Sequence, residues 1–149
     1  LRIVSGLYGL LKPFDLVFPY RLEMGTNMKT KDGHNLYEFW GDKLSQTLSS
    51  QMQDKQTLVN LASNEYSKAL QLEKFKQPII TPVFKEYKNG VYKVIGLHAK
   101  RARGLMARYI IKNQITEPKQ LTEFNTGGYL FSVPDSNDTK LIFYRDSQL

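Results

Sequence analysis

Apolar positions along this chain recur at two different spacings, and the places where the spacing changes outline its elements. Residues 1–5 form a short apolar run that reads as a buried strand feeding the tight turn Gly6-Leu7-Tyr8-Gly9, or as a short helix ended before Pro13. Residues 12–25 carry Pro13 and Pro19 among dense apolar positions and read as a loop packed onto the core, with one helical turn from Pro13. Residues 27–34 are polar, contain Asp32-Gly33 and read as a surface turn. From Asn35 to Gln53, Leu36, Phe39, Trp40, Leu44, Leu48 and Met52 recur at helical spacing, which predicts one long helix with Phe39 and Trp40 in the core. Asn35 caps it, and Glu38 stands where a capping box requires it. Residues 57–62 then read as a short central strand, and Ser63 caps a helix to Leu70 that turns Tyr66, Ala69 and Leu70 inward.

Alternation is clearest in the second half. Residues 79–88 and 91–98 flank Asn89-Gly90, a two-residue type I′ turn signal. The turn predicts a hairpin with Glu86 opposite Lys93, Phe84 opposite Ile95 and Tyr87 opposite Tyr92, an opposite-charge pair among aromatic and aliphatic ones. Its second strand runs directly into a helix over 99–112. At about 100° per residue, Ala102, Leu105, Met106, Tyr109 and Ile110 gather on one side of that helix. Lys100, Arg101, Arg108 and Lys112 share an arc of about 120° opposite, with Gly104 inside it and Arg103 on the flank. Five cations and no acid lie on this helix. Next, Thr116 caps a short helix from Glu117, with Pro118 in its first turn. Residues 124–129 make a turn, and strands over 129–133 and 140–145 enclose the loop 134–138. The elements interleave without a strict βαβ rhythm, which predicts a mixed α/β fold: a mixed sheet flanked by helices, with an antiparallel hairpin.

Composition narrows this picture. A length of 149 residues suits one domain over 1–149. The first residues lack an initiator Met and a signal peptide and read like the middle of an element, so the chain is expected to be the later part of a longer protein. The absence of cysteine excludes disulfides, thiolate metal sites and Cys nucleophiles. No apolar run approaches the ~18 residues of a membrane span, so no membrane partner is expected. A net charge of +7 favours a polyanionic partner, and its clustering on 99–112 matters more than its size. Nothing in the pattern sets an oligomeric state.

Catalytic signatures are sparse, and the chain is read as a binder in preference to an enzyme. His34 and His98 lie far apart in no ligand spacing, so no metal site and no cofactor are expected. Gly6-Leu7-Tyr8-Gly9 lacks the Lys and Ser/Thr of a phosphate-cradling P-loop. A rival site lies at two strand ends, where open sheets form crevices. Ser5, Gly6, Arg21, Glu23, Asn60, Ser63 and Glu65 would line this pocket for a nucleotide or another phosphate. The structural alternative makes Ser63 a plain cap, Glu65 a helix-dipole residue and Arg21–Glu23 an ion pair. For nucleic acid, the candidate contacts are Lys100, Arg101, Arg103, Gly104, Arg108 and Lys112, in a helix–turn–helix-like pair completed by 117–124. No helix carries the Asn/Arg pattern of major-groove readout, so binding would be backbone-led and weakly sequence-specific.

Six stretches, taken in order, carry a family resemblance: LRIVSGLYGLLKPFD at 1–15, PYRLEMG at 19–25, LYEFWGD at 36–42, NLASNEY at 60–66, AKRARGLMARY at 99–109 and FNTGGY at 124–129. Together they resemble the bacterial peroxide stress protein YaaA family over nearly the whole chain, whose members are longer at the N-terminus. The resemblance implies a cytoplasmic protein of the hydrogen-peroxide response that limits oxidative DNA damage and intracellular iron. It also implies a mixed α/β fold described as cantaloupe-like, with a helix-hairpin-helix element and a basic groove that binds DNA. That groove maps onto Lys100, Arg101, Arg103 and Arg108; the helix-hairpin-helix falls on the basic helix pair or on the Gly6–Gly9 turn.

Overall fold

Glycines punctuate the first part of the chain. In the computed structural model, which describes residues 1–146, contacts divide the chain into two units: Leu1–Gln56 with Ala62–Gln77, and Thr57–Leu61 with Pro78 onward. The first unit opens with β1 (Ile3–Ser5) and β2 (Gly9–Leu11), an antiparallel hairpin in the register Ile3↔Leu11 and Ser5↔Gly9. Gly9 has φ +75°, and a Cβ there would sit 2.8 Å from the Trp40 ring, so glycine is required twice over. The expected buried strand is in fact one arm of this ribbon, with Leu1 and Ile3 exposed and Ser5 buried. Two short strands without a third cannot bury more than a position each.

The proline loop also differs from expectation. Asp15 closes a single turn onto Lys12 (N···O 3.2 Å), as expected, yet Phe14 and Leu16 are 96% and 99% exposed. No regular element follows Pro13 to carry these side chains inward, and only Met24 at the end of the loop is fully buried. The predicted long helix is two helices, α1 (Leu36–Trp40) and α2 (Lys43–Ser50). Gly41 adopts φ +46° and ends α1 by donating to the Tyr37 carbonyl, after which Asp42 starts α2. Asn35 caps α1 as expected, accepting from the Glu38 N–H at 3.0 Å; the Glu38 carboxylate closes the box one residue early, on the His34 N–H at 2.7 Å. With α3 (Asn64–Ala69), these helices bury Leu36, Leu44, Leu48, Ala69 and Leu70, leaving Phe39 and Trp40 half-buried. Ser63 stands at the N-cap of α3 but its side chain makes no capping bond.

The second unit is built on β4 (Ile79–Lys88). Along one edge it pairs in parallel with β7 (Lys140–Arg145), which pairs antiparallel with β6 (Leu130–Ser132). Along the other edge it pairs with β3 (Leu58–Val59) at its start and β5 (Val91–Lys93) at its end. Pro82 fits because of this division. Thr81 donates toward β7 (N···O 2.8 Å to Thr139), so the next residue faces the gap between β3 and β5, where no donor is needed. β3 is therefore an edge strand and not a central one. The Asn89-Gly90 turn has φ +56° and +82°, as a type I′ turn demands, and sets Glu86↔Lys93 and Tyr87↔Tyr92 as expected. β5 stops at Lys93, because Ile95 already accepts the first N–H of α4 (Gly96–Lys112). Phe84 consequently pairs with Phe143 of β7, its ring stacked at 5.3 Å, and not with Ile95.

Alternate residues of β4 turn Ile80, Phe84 and Glu86 inward, and Ala102, Met106, Leu121, Phe124, Tyr129 and Phe143 complete that core. After α4, Glu117 and not Thr116 occupies the cap of a 3-10 helix (Pro118–Glu123), since the fixed ring of Pro118 takes the first helical position. The mixed sheet with flanking helices agrees with the expected fold class. Truncating the ring at the centre of the second core, Phe84→Ala, is expected to cost about 3–5 kcal/mol, measured as a lowered midpoint in denaturant.

Candidate functional site

Helix α4 carries the predicted cations where the spacing put them. Its inner stripe is fixed by Ala99, Ala102 and Met106, all buried, with Leu105, Tyr109 and Ile110 half-buried beside them. The opposite side presents Lys100, Arg101, Gly104, Arg108 and Lys112 to solvent. None of these four cations enters an ion pair among the described residues. Arg103 is different: it is half-buried, its Nε donates to the Ala99 carbonyl at 3.1 Å, and burial lowers its pKa. Nothing lies within 4 Å of where a Gly104 side chain would begin. The helix–turn–helix-like pair keeps α4 as its first member, while its second is the 3-10 helix Pro118–Glu123. The other helix-hairpin-helix candidate, Gly6–Gly9, is the turn of a β-hairpin.

Beneath the first half of α4 lies a charged cluster that the sequence reading did not single out. Glu86 is 1% exposed. Its carboxylate accepts from the Tyr129 hydroxyl through one oxygen and from Arg145 Nε, at 2.8 Å, through the other. The expected partner, Lys93, stands in register with Glu86, but the ion pair forms with Arg145 across the opposite edge of β4. Burial first, then the hydrogen bond to Glu86, pushes the Tyr129 phenol far above its ordinary value, and the charges of Arg145 and Arg101 oppose that shift. Strict alternation along β4 already places position 86 on the core face, and that is the signal that could have found this carboxylate.

In the first unit, Ser5 is buried and its Oγ accepts from the N–H groups of Leu7 (3.2 Å) and Tyr8 (3.0 Å) while bonding the Tyr20 hydroxyl. Gly6 lies against the Leu22 carbonyl, 2.6 Å from where a Cβ would stand, and its own carbonyl accepts from Trp40 Nε1. Glu65 accepts the Gly25 N–H at 2.7 Å. Arg21 and Glu23 form an exposed ion pair at 3.4 Å. Tyr66 lies within the field of Glu65, Tyr20 and Glu23, and burial is the main cause of its raised pKa. Ser5, Gly6, Arg21, Glu23, Ser63 and Glu65 thus fall in the first unit, whereas Asn60 belongs to the second, beside Thr81.

Other chemistry is thin. His34 is exposed and His98 half-buried, and no group of three or more His, Asp or Glu among the described residues could hold a metal ion. A cleft of ≈ 330 Å³ opens between Ile80, Phe131, Val133 and Leu141, with Lys119 and Asn137 on its rim, and none of the predicted site residues lines it. No helix among the described residues is long and apolar enough to cross a membrane.

Comparison with known proteins adds the following. The family model described as "Peroxide stress protein YaaA" matches residues 1–134. A UPF0246 protein of Aliivibrio fischeri is 53% identical over 150 residues, covering 99% of this chain and 58% of that protein. UPF0246 proteins of Burkholderia lata and Acaryochloris marina are 51% and 53% identical, over 97% and 98% of this chain. The chain spans between 57% and 58% of the length of these relatives.

Because nothing packs at Gly104 and it sits mid-helix, Gly104→Ala is expected to stabilise the protein by roughly 0.5–1 kcal/mol, read from the denaturation midpoint. The Tyr129 phenol has its folded pKa raised, so its contribution is fully present below the ordinary phenol value of about 10 and is lost as pH rises beyond it. Stability should therefore fall above about pH 10, and Tyr129→Phe should flatten that alkaline limb in melting experiments.

Proposed function

The chain belongs to the peroxide stress protein YaaA family, and on that premise we propose that it serves the bacterial hydrogen-peroxide response by binding the DNA backbone through α4. The observation that carries this reading is the basic arc of Lys100, Arg101, Arg108 and Lys112, without an ion pair among the described residues, around an open Gly104 on a helix with no acid. Guanidinium and ammonium groups on one exposed face neutralise successive phosphates and release condensed counterions, which is affinity without base readout. Gly104 admits a phosphate to the helix backbone in the middle of that row. Arg103 supports the face from its flank. Protection follows from occupancy of DNA and requires no catalysis, and lower intracellular iron belongs to the same response. The cytoplasm is the compartment this role implies.

A second reading has one observation in its favour. Ser5, Tyr20, Tyr66, Glu23 and Glu65 gather within the first unit, with hydroxyls and carboxylates near one another. They would hydrogen-bond the hydroxyl or amino groups of a small polar molecule, such as the sugar and base of a nucleotide, independently of α4. A nucleotide or phosphate ester that raises the melting temperature at stoichiometric ratio favours this pocket.

The test of the leading reading is a triple charge reversal, Lys100→Glu, Arg101→Glu and Arg108→Glu, with duplex affinity followed across salt concentration. Affinity should collapse, and the slope of log K against log salt should flatten by about three. Unchanged affinity and slope would remove α4 from the interface.

A further inference from the structure

We propose that Arg145 is a further phosphate ligand, an anchored guanidinium beside Arg101, and that Glu86, Tyr129 and the Gly127-Gly128 turn exist to hold it in place. This rests on the DNA-binding reading above and adds to it a contact outside α4. It also accounts for the 124–129 stretch, which that reading leaves unused.

The geometry of Arg145 is that of a clamped side chain. Its Nε donates to Glu86 Oε2 at 2.8 Å, and its Nη1 donates to the Gly127 carbonyl at 3.3 Å. The guanidinium carbon lies 4.9 Å from the centre of the Tyr129 ring, a cation–π contact. Tyr129 in turn donates its hydroxyl to the other oxygen of Glu86. Carboxylate, phenol and guanidinium therefore form a closed set, and Tyr129 and Glu86 are each 1% exposed. Gly127 and Gly128 stand at φ +72° and +79°. A Cβ on Gly128 would lie 3.5 Å from Arg145 Cδ, so the turn runs alongside the aliphatic arm of the arginine.

What this clamp leaves open is the outer side of the guanidinium. Two of its nitrogens are engaged, and 28% of the side chain remains exposed. A planar guanidinium fixed at Nε by a carboxylate and at Nη1 by a backbone carbonyl presents its remaining N–H groups at a set angle, which suits a phosphate oxygen pair better than a free side chain does. Two further cations belong to the same neighbourhood. Lys93 and Arg145 flank Glu86 from the strands on either side, and the Arg101 charge on α4 reaches the Tyr129 phenol. An anion entering here meets Arg145 and Arg101 together, continuous with the arc on α4.

Positioning, as distinct from simple charge, is what Glu86 and Tyr129 contribute. A buried carboxylate is costly unless paired, and here its pairing fixes an arginine that projects from β7 and not from α4. The strand register holds Arg145 directly opposite Glu86, so a slip of one residue would turn it to the other face.

The experiment uses the whole chain and an end-labelled mixed-sequence DNA duplex, with binding followed by fluorescence anisotropy at several NaCl concentrations. Arg145→Gln should weaken binding about tenfold and flatten the salt slope by about one. Arg145→Lys keeps a charge on Glu86, guards against loss of folding, and should show the same flattening because a single ammonium is consumed by the carboxylate. Tyr129→Phe keeps the ring beneath the guanidinium but releases one carboxylate oxygen; it should weaken binding severalfold and leave the slope unchanged, as a positioning role requires. Native affinity and slope in both Arg145 variants, with binding abolished by the triple reversal on α4, would overturn this proposal and leave the α4 reading standing. Loss of binding in the Arg145 variants with none in the triple reversal would uphold Arg145 and overturn α4. No effect in either set would overturn both.

Discussion

Strand β4 obliges the second unit to be built the way it is. Its inner face alternates Ile80, Pro82, Phe84 and Glu86, three apolar positions and then a carboxylate. Ile80 and Phe84 share one core with Ala102 and Met106 of the inner stripe of α4, and the stacked pair Phe84–Phe143 ties β7 to the same layer. The carboxylate at the end of that row cannot be left alone at 1% exposure, since an uncompensated buried charge costs several kcal/mol. Arg145 must therefore come to it, and in-register parallel pairing of β4 with β7 is what delivers the arginine. Sheet register and charge neutralisation are two aspects of one constraint.

That constraint also explains the direction in which α4 displays its charge. The helix has one apolar stripe, and once Ala102 and Met106 are fully buried the arc opposite has nowhere to go except solvent. Arg103, at the border, folds back onto the Ala99 carbonyl of its own helix. The exposed set is thus a consequence of packing on β4.

Much of this was legible in the sequence, for identifiable reasons. The Asn89-Gly90 turn and the α4 stripe were readable because each depends on local chemistry: positive φ at two residues, and a period of about 3.6. The resemblance to the YaaA family rested on ordered stretches such as LYEFWGD, which local pattern cannot explain but comparison supports. The failures were non-local. Leu36 to Met52 keeps helical spacing straight across Gly41, so the periodicity hid a break that only the positive φ of that glycine reveals. Phe14 and Leu16 look like core residues because burial was inferred from apolarity alone, whereas a proline-bounded loop has no periodic face with which to bury them. Glu86 does stand opposite Lys93, but its ion pair goes to Arg145, because a hairpin shows only one neighbour of β4; the second neighbour, β7, arrives more than fifty residues later, as the Glu86–Arg145 separation of 59 positions shows. Of the candidate sites, the α4 cations could be read from one helix, while the strand-end set needed tertiary placement that spacing does not encode.

A helix selected for stability alone would not look like α4. Lys100, Gly104, Arg108 and Lys112 follow one another at intervals of four, so they form a column on the surface. Like charges at that spacing repel by about 0.2–0.5 kcal/mol per pair, and a glycine in a helix interior costs about 1 kcal/mol against alanine. Neither cost is offset by packing: the space at Gly104 is empty, and the described ion pairs of the molecule, Arg21–Glu23, Lys74–Asp42 and Arg145–Glu86, all lie elsewhere. The same chain places an acid beside a base at three other points, so the missing acid on α4 is not a matter of composition. Local preference and global fold disagree at this column, and such disagreements in native proteins concentrate where a ligand supplies the compensation. A polyanion laid along the column would turn each of these costs into a gain.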